Sequence, residues 1–223
     1  AIRMLRVARN GAVKARTAAL NTLRSMVITA PEPLRSQLRT LSSAQLVAAC
    51  ARLRPDLSNI AEPVQAAKHA LRSIAVRVQH LGTETRSLRE QLDELTQAAA
   101  PATSAVFGLG PDTVSALLIT IGDNPDRLRS EAAFAHLCGV APIPASSGKT
   151  NRHRLHRGGD RAGNSALHIA AVVRLRYDPR SRAYADRRTA EGMSMPEIIR
   201  CQKRYLAREI FSALRADYAK LST

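Results

Sequence analysis

The chain has no tryptophan, and only four tyrosines and three phenylalanines among 223 residues. Proteins that grip single strands without sequence preference stack bases on aromatic rings, so a general stacking platform is not expected here. Cys50, Cys138 and Cys201 are few, odd in number and far apart. They fit neither a disulfide framework nor a thiolate zinc site, and they suit a reducing cytoplasm. No apolar run approaches the length of a membrane span, and the opening AIRMLRVARNG is not a signal peptide. Acidic residues are scarce as well, 18 against 34 lysines and arginines. No cluster of carboxylates could hold two magnesium ions. A chain that begins at Ala1, without an initiator methionine, reads as an internal piece of a longer protein.

What is present is a hydrophobic fraction of 45%, enough for one or two folded cores, and a formal charge of +16. That excess calls for a polyanion, with nucleic acid first and a membrane surface second. The charge is zoned. Residues 1–60 hold ten basic and two acidic side chains, and 145–190 hold eleven and three, whereas 61–100 balance at five and five. Residues 101–144 run slightly acidic, and 191–223 carry six basic and four acidic residues. Two basic zones flanking a neutral middle read as two contact surfaces, with an affinity that falls steeply with salt.

Residues 2–28 read as a helix with Ile2, Leu5, Ala12, Leu20, Leu23 and Val27 apolar and six cations beside them, a solvated face or a nucleic-acid contact. Pro31 and Pro33 end it. Shorter helices follow at roughly 34–40 and 43–53, with Ser42 or Ser43 as N-cap. Over 62–98, Val64, Leu71, Val78, Thr85 and Leu92 recur every seven residues, and Ala67, Ile74, Leu81, Leu88 and Leu95 do so three positions on. That a/d pattern predicts a coiled coil, paired with helix 2–28 as a hairpin or with a second copy of the chain. The small-residue break Ala98–Pro101 separates a helical arm, 1–100, from a compact helical domain, 101–223.

In the second domain Phe107-Gly108-Leu109-Gly110-Pro111 leads into the apolar run Val114–Ile121. It reads either as a helix-hairpin-helix-like turn, in which Gly108 and Gly110 let backbone N–H groups approach a phosphate, or as a loop capping a buried helix. Ser130 caps a helix over 131–138. A helix over 163–176 would turn Ala166, Ile169, Ala170 and Val173 inward and Arg174 and Arg176 outward. A basic helix covers 180–190. Ser194 and Glu197 form a capping box for a last helix to about 219, with Tyr205 among its core positions. No strand pattern survives, so the fold class is all-α.

Between these helices lies GVAPIPASSGKTNRHRLHRGGDRAGN, residues 139–164. A serine hydroxyl beside Lys149, Arg152, Arg154, Arg157 and Arg161 is what phosphoryl transfer through a protein nucleophile requires, and the same cations also suit plain phosphate binding. His153 and His156 read as phosphate contacts, and Asp160 as a structural ion pair among the arginines. Zinc fails because His136 and Cys138 have no further ligands at a fixed spacing. Tyr184 between arginines invites a tyrosine-recombinase reading, but His153-Arg154-Leu155-His156 does not supply the His-x-x-Arg box of that class.

Gly108-Leu109-Gly110-Pro111 with ALLITIGD, then FAHLCGVAP, then Ser147-Gly148-Lys149, then RGGDRAGNSALH, resembles the C-terminal transposase domain of the insertion sequence one-hundred-ten family, described as bridge-RNA-guided recombinases. The resemblance covers the whole chain, and the order and spacing of several motifs make it specific. It implies that Ser147 attacks DNA to give a phosphoserine link, with Ser146 the neighbour to test beside it. It implies DNA and a guide RNA as partners, self-association through the coiled coil, and a bacterial, cytoplasmic, nucleoid-associated protein. It further implies an N-terminal metal-binding domain, with magnesium there and no cofactor in this part, so that this part alone would not recombine DNA. A non-catalytic helical nucleic-acid-binding module is the alternative from the residues alone.

Overall fold

A computed structural model describes residues 1–122, 129–146, 148, 153–154 and 156–221 of the chain. It is all-α, and among the described residues the only sheet is one ladder of two short strands. Packing divides it into two compact units, residues 4–90 and residues 91–223 with the first three residues. The change of packing partner falls at 90/91, inside the long helix, whereas that helix itself ends at Ala99 before Pro101.

The first unit is built from α1 (Ile2–Thr29), α2 (Leu34–Leu38), α3 (Ser43–Ala51), a single 3-10 turn and most of α4 (Pro63–Ala99). Ser42 is the N-cap of α3. Its N–H and hydroxyl both donate to Gln45 Oε1, at 3.0 and 2.8 Å, which holds the start of the helix. Leu23 and Val27 of α1, Leu46 and Cys50 of α3, and Leu71 and Ala75 of α4 form one buried cluster. Each pair is spaced four apart, the spacing that puts two side chains on one helix face. Burying each large aliphatic side chain contributes roughly 1.5–3 kcal/mol. Of the heptad positions, Leu71, Val78 and Leu92 are buried and the rest are partly so. Thr85, the polar member, donates its hydroxyl to Leu81 O at 2.7 Å. At Gly82 a side chain would meet Arg16 Nε at 3.4 Å, so α1 folds back along α4. The hairpin partner of the two expected ones is present within the chain.

The second unit contains α5 (Pro101–Ser104), α6 (Pro111–Ile121), α7 (Glu131–Leu137), β1 (Ile143–Pro144), β2 (His153–Arg154), α8 (Arg161–Tyr177), α9 (Pro179–Ala190) and α10 (Met195–Leu221). β1 and β2 pair antiparallel, Ile143 opposite Arg154 and Pro144 opposite His153, a ladder the sequence did not announce. Helix α8 packs on both α6 and α10. Its Ala166, Leu167, Ala170 and Ala171 are buried, and three of these four are small enough to let both neighbours close in. The inward positions at Ala166 and Ala170 are buried as expected, whereas Ile169 and Arg174 depart from the expected faces. Ile169 is 49% exposed, and Arg174 turns inward, where its guanidinium grips both carboxylate oxygens of Glu209 at 2.7 Å and its Nε donates to Phe107 O. The inward stripe is made mostly of small residues, and the bulkier Ile169 falls outside it. Tyr205 is likewise not core but 53% exposed.

Asp217 of α10 is buried and caps α5 across 115 residues of sequence. It accepts from Ala102 N at 2.8 Å, Thr103 N at 2.9 Å and Thr103 Oγ1 at 2.7 Å. Removing it strands the first N–H groups of a helix in the interior. Asp217→Ala is expected to lower unfolding stability by roughly 3 kcal/mol, read as a shift of the denaturation midpoint. An unchanged midpoint would show that the bonds are incidental.

Candidate nucleic-acid interface

The two ends of the segment from Gly139 to Asn164 meet at one point. Gly139 ends α7 with φ +64, a left-handed conformation that suits glycine, and Val140 N donates back to Ala135 O at 2.8 Å. The return strand crosses here. Asp160 N donates to Leu137 O at 2.7 Å, and a Cβ on Gly159 would lie 2.2 Å from Gly139 N. Two backbones touch, which only a glycine at 159 permits.

The residues after the crossing fasten it. Asp160 is the N-cap of α8, its Oδ1 accepting from Gly163 N at 2.7 Å and from Thr120 Oγ1 of α6 at 2.8 Å. A helix N-terminus favours a carboxylate in that place, so the acid read as an ion pair works through a backbone amide and a hydroxyl. A Cβ on Gly163 would come within 3.1 Å of Thr120 Cγ2 and 3.2 Å of Cys138 Sγ. Asn164 Nδ2 donates to Cys138 O at 2.9 Å and Gly139 O at 3.1 Å, while its Oδ1 accepts from Lys203 Nζ of α10 at 2.6 Å. Gly159, Asp160, Gly163 and Asn164 are thus a clasp that ties the loop neck to three helices.

Beside the neck opens a groove of about 1230 Å³. The loop contributes Pro142, His153, Arg154, His156 and Arg157, α8 contributes Arg161 and His168, and α10 contributes Arg200, Lys203, Arg204 and Tyr205. Against these cations the only acid among its described lining residues is Glu197, 3.7 Å from Arg200. Arg204 turns to Glu131, which its guanidinium holds below the usual carboxylate range, so this cation is partly spent on structure. Burial lowers the pKa of Lys203 from its ordinary value. Arg154, Arg157 and Arg161 are exposed and carry the field outward.

Of the residues singled out in the sequence, Arg154, Arg157 and Arg161 come together in this groove. Ser147, Lys149 and Arg152 lie outside the described residues, as does the predicted break at Pro125. Ser147 belongs to the segment that joins β1 to β2. Ser146 is exposed, and Gly148 has φ +57. Gly108 and Gly110 are not among the residues lining the groove. Gly108, at φ +93, lets the turn approach α8, since a Cβ there would stand 3.1 Å from Ala170 O. Gly110 N donates to Thr113 Oγ1 at 2.7 Å. The glycine turn caps α6 and packs on α8.

The α10 wall escaped the sequence reading. Arg200, Lys203 and Arg204 stand at i, i+3 and i+4, a one-face stripe, but the four acids of residues 191–223 hid it in a net charge. The other nucleophile candidates fall away. Burial, with Asp160 nearby, pushes the Cys138 thiol up to about 12, and burial pushes Cys50 up to about 11. Tyr184 is raised too, by burial first and then by Cys201 and Tyr205, which leaves it a poor nucleophile. Among the described residues no group of three or more His, Cys, Asp or Glu side chains could hold a metal ion. No helix among them is long and apolar enough to cross a membrane.

Residues 102–186 match the family model described as Transposase IS116/IS110/IS902 family. The chain is 31% identical over 147 residues to the "Insertion element IS110 uncharacterized 43.6 kDa protein" of Streptomyces coelicolor, covering 64% of this chain and 36% of that protein. It is 29% identical over 113 residues to the "Insertion element IS900 uncharacterized 42 kDa protein" of Mycobacterium paratuberculosis, covering 50% of this chain and 28% of that one. The chain thus spans about a third of the length of these curated relatives. The matched residues include the serine loop, the clasp and α8, and stop before α10.

Proposed function

We propose, from the premise that this chain belongs to the IS116/IS110/IS902 transposase family through residues 102–186, that it supplies the serine and the phosphate-gripping groove of a DNA transposase. Ser147 Oγ attacks a backbone phosphorus. An Oγ–P bond forms, the P–O bond to one deoxyribose breaks, and the hydroxyl proton leaves as the sugar oxygen regains one. Because one phosphodiester replaces another, a second strand's hydroxyl can reverse the step and rejoin DNA without an energy source. Arg154, Arg157 and Arg161, with Lys149 and Arg152, neutralise the scissile and neighbouring phosphates. The described residues offer no cage for magnesium, and no step here passes through one. The partners on this reading are DNA in the bacterial nucleoid, a guide RNA on the same basic surfaces, and further copies of the protein.

One observation carries this reading. The segment that carries Ser147 runs from Pro142 to His153 in sequence, and both of these residues line the same groove as Arg154, Arg157 and Arg161. A nucleophile beside fixed positive charge is the pairing that stabilises a charged phosphoryl transition state.

The test traps the covalent intermediate. The full-length protein, with its flanking RNA and a nicked, labelled DNA, is run on a denaturing gel beside Ser147→Ala and Ser146→Ala versions. A protein–DNA band absent only from Ser147→Ala is the expected result. Loss only in Ser146→Ala moves the nucleophile by one residue. No adduct, with DNA binding intact, leaves a binding module and ends the catalytic reading.

A further inference from the structure

In a chain with seven tyrosines and phenylalanines together, one ring stands in the groove wall. Tyr205 is 53% exposed and lines the groove together with Arg200 and Arg204 of the same helix, beyond the residues matched by the family model. An exposed tyrosine on a helix ordinarily has freedom to swing. This one is met by Tyr184 of α9 with ring centroids 5.7 Å apart and planes at 88°, an arrangement that the opposite charges of ring edge and ring face favour. Tyr184 is itself half-buried, with the Arg187 guanidinium 5.6 Å from its ring centre. A ring fixed in orientation, open to solvent and set among guanidinium groups is an unusual use of apolar surface. Tyr205 also shares a side-chain hydrogen bond with Tyr184, and with the ring held by these two contacts more than half of its surface stays open to the groove.

We propose that Tyr205 stacks a base of an unpaired nucleotide strand lying in this groove, while Arg157 and Arg200 take the flanking phosphates. The proposal rests on the reading that the groove holds nucleic acid, and it adds what part of that nucleic acid is felt there. In a duplex both faces of each base are covered by neighbouring pairs, and the ring finds nothing to stack on. In an unpaired strand, such as strand exchange or a guide must expose, every base offers a face whatever its sequence. Tyr205 therefore distinguishes paired from unpaired nucleotides without reading bases.

The experiment uses the 223-residue chain and an oligonucleotide containing 2-aminopurine, whose fluorescence falls on stacking. It is presented as a DNA strand, as an RNA strand of the same sequence and as a flush DNA duplex. Wild type is expected to quench an unpaired strand and not the duplex. Tyr205→Leu is expected to remove the quench and weaken strand binding roughly tenfold while leaving duplex binding unchanged, and Tyr205→Phe to keep both. Quenching of the DNA strand, the RNA strand or both supports the proposal and names the source of the strand. The proposal is overturned if Tyr205→Leu weakens strand and duplex alike, if it changes neither, or if Tyr205→Phe behaves as leucine does. A wild-type chain that binds strand and duplex equally well without quenching overturns the stacking alone. One that binds neither overturns the groove reading with it.

Discussion

Gly159→Ala is expected to destroy the loop neck, while Gly158→Ala, one residue earlier, changes almost nothing. A Cβ at 159 would stand 2.2 Å from Gly139 N, 2.3 Å from Gly139 Cα and 2.9 Å from Cys138 C. All three are backbone atoms, so no side chain can swing aside. The two strands must part, and the bonds Asp160 N to Leu137 O and Asn164 Nδ2 to Cys138 O go with them. Overpacking alone costs about 1–3 kcal/mol, and the broken bonds bring the expected destabilisation to about 4 kcal/mol. At Gly158 the nearest atom to a new Cβ is His156 Nε2 at 3.6 Å, an ordinary contact. Thermal unfolding and limited proteolysis between residues 140 and 158 check the pair. Two alanine variants with equal melting temperatures would mean that the backbones do not cross as described.

Removing Arg154, Arg157 and Arg161 together is expected to weaken DNA binding by about two orders of magnitude at moderate salt, with a shallower salt dependence. Each phosphate left without its cation takes about 0.9 from the slope of log affinity on log salt, so three such phosphates take roughly 2–3. These side chains are exposed, so the fold keeps its melting temperature. The comparison variant is Arg3→Ala, Lys14→Ala and Arg16→Ala on α1, where the cations are also exposed and the change in net charge is identical. Electrophoretic mobility or anisotropy titrations over a salt series separate the two. If both variants lose affinity equally, the protein binds through overall charge and the groove has no special part.

Features specified by neighbours in sequence were legible, and those specified across the chain were not. The heptad stripe of α4 and the caps Ser42, Ser130 and Ser194 depend on residues within a turn, and their signatures survive in one dimension. Ser130 Oγ accepts from Ala133 N at 3.1 Å, and Ser194 N donates to Glu197 Oε2 at 3.0 Å, as such signatures require. In RGGDRAGN the eye goes to the arginines, yet the glycines, the aspartate and the asparagine carry the structure, through partners 20 to 40 residues away in sequence such as Gly139, Cys138 and Thr120. No local rule announces a backbone crossing. The inward face of α8 was legible at Ala166 and Ala170, whereas Arg174 turns inward to a partner, Glu209, 35 residues away in sequence. The basic stripe of α10 was lost because averaging charge along a segment hides what a helix gathers on one face.

Because the stretch from Pro142 to Gly158 is bracketed by one backbone crossing, with Val140 and Ala141 before it packed into the core, the demands of the core fall on its flanks. Its ends are fixed by the clasp, so an exchanged or lengthened tip alters only the entropy of a closed chain, which grows by roughly 0.6 kcal/mol per doubling of length. The segment behaves as a cassette. Transplanting the stretch between Ala141 and Gly159 from one such protein to another should leave the host folded and carry the donor's tip chemistry with it, and natural divergence can act on the tip without renegotiating the helices beneath.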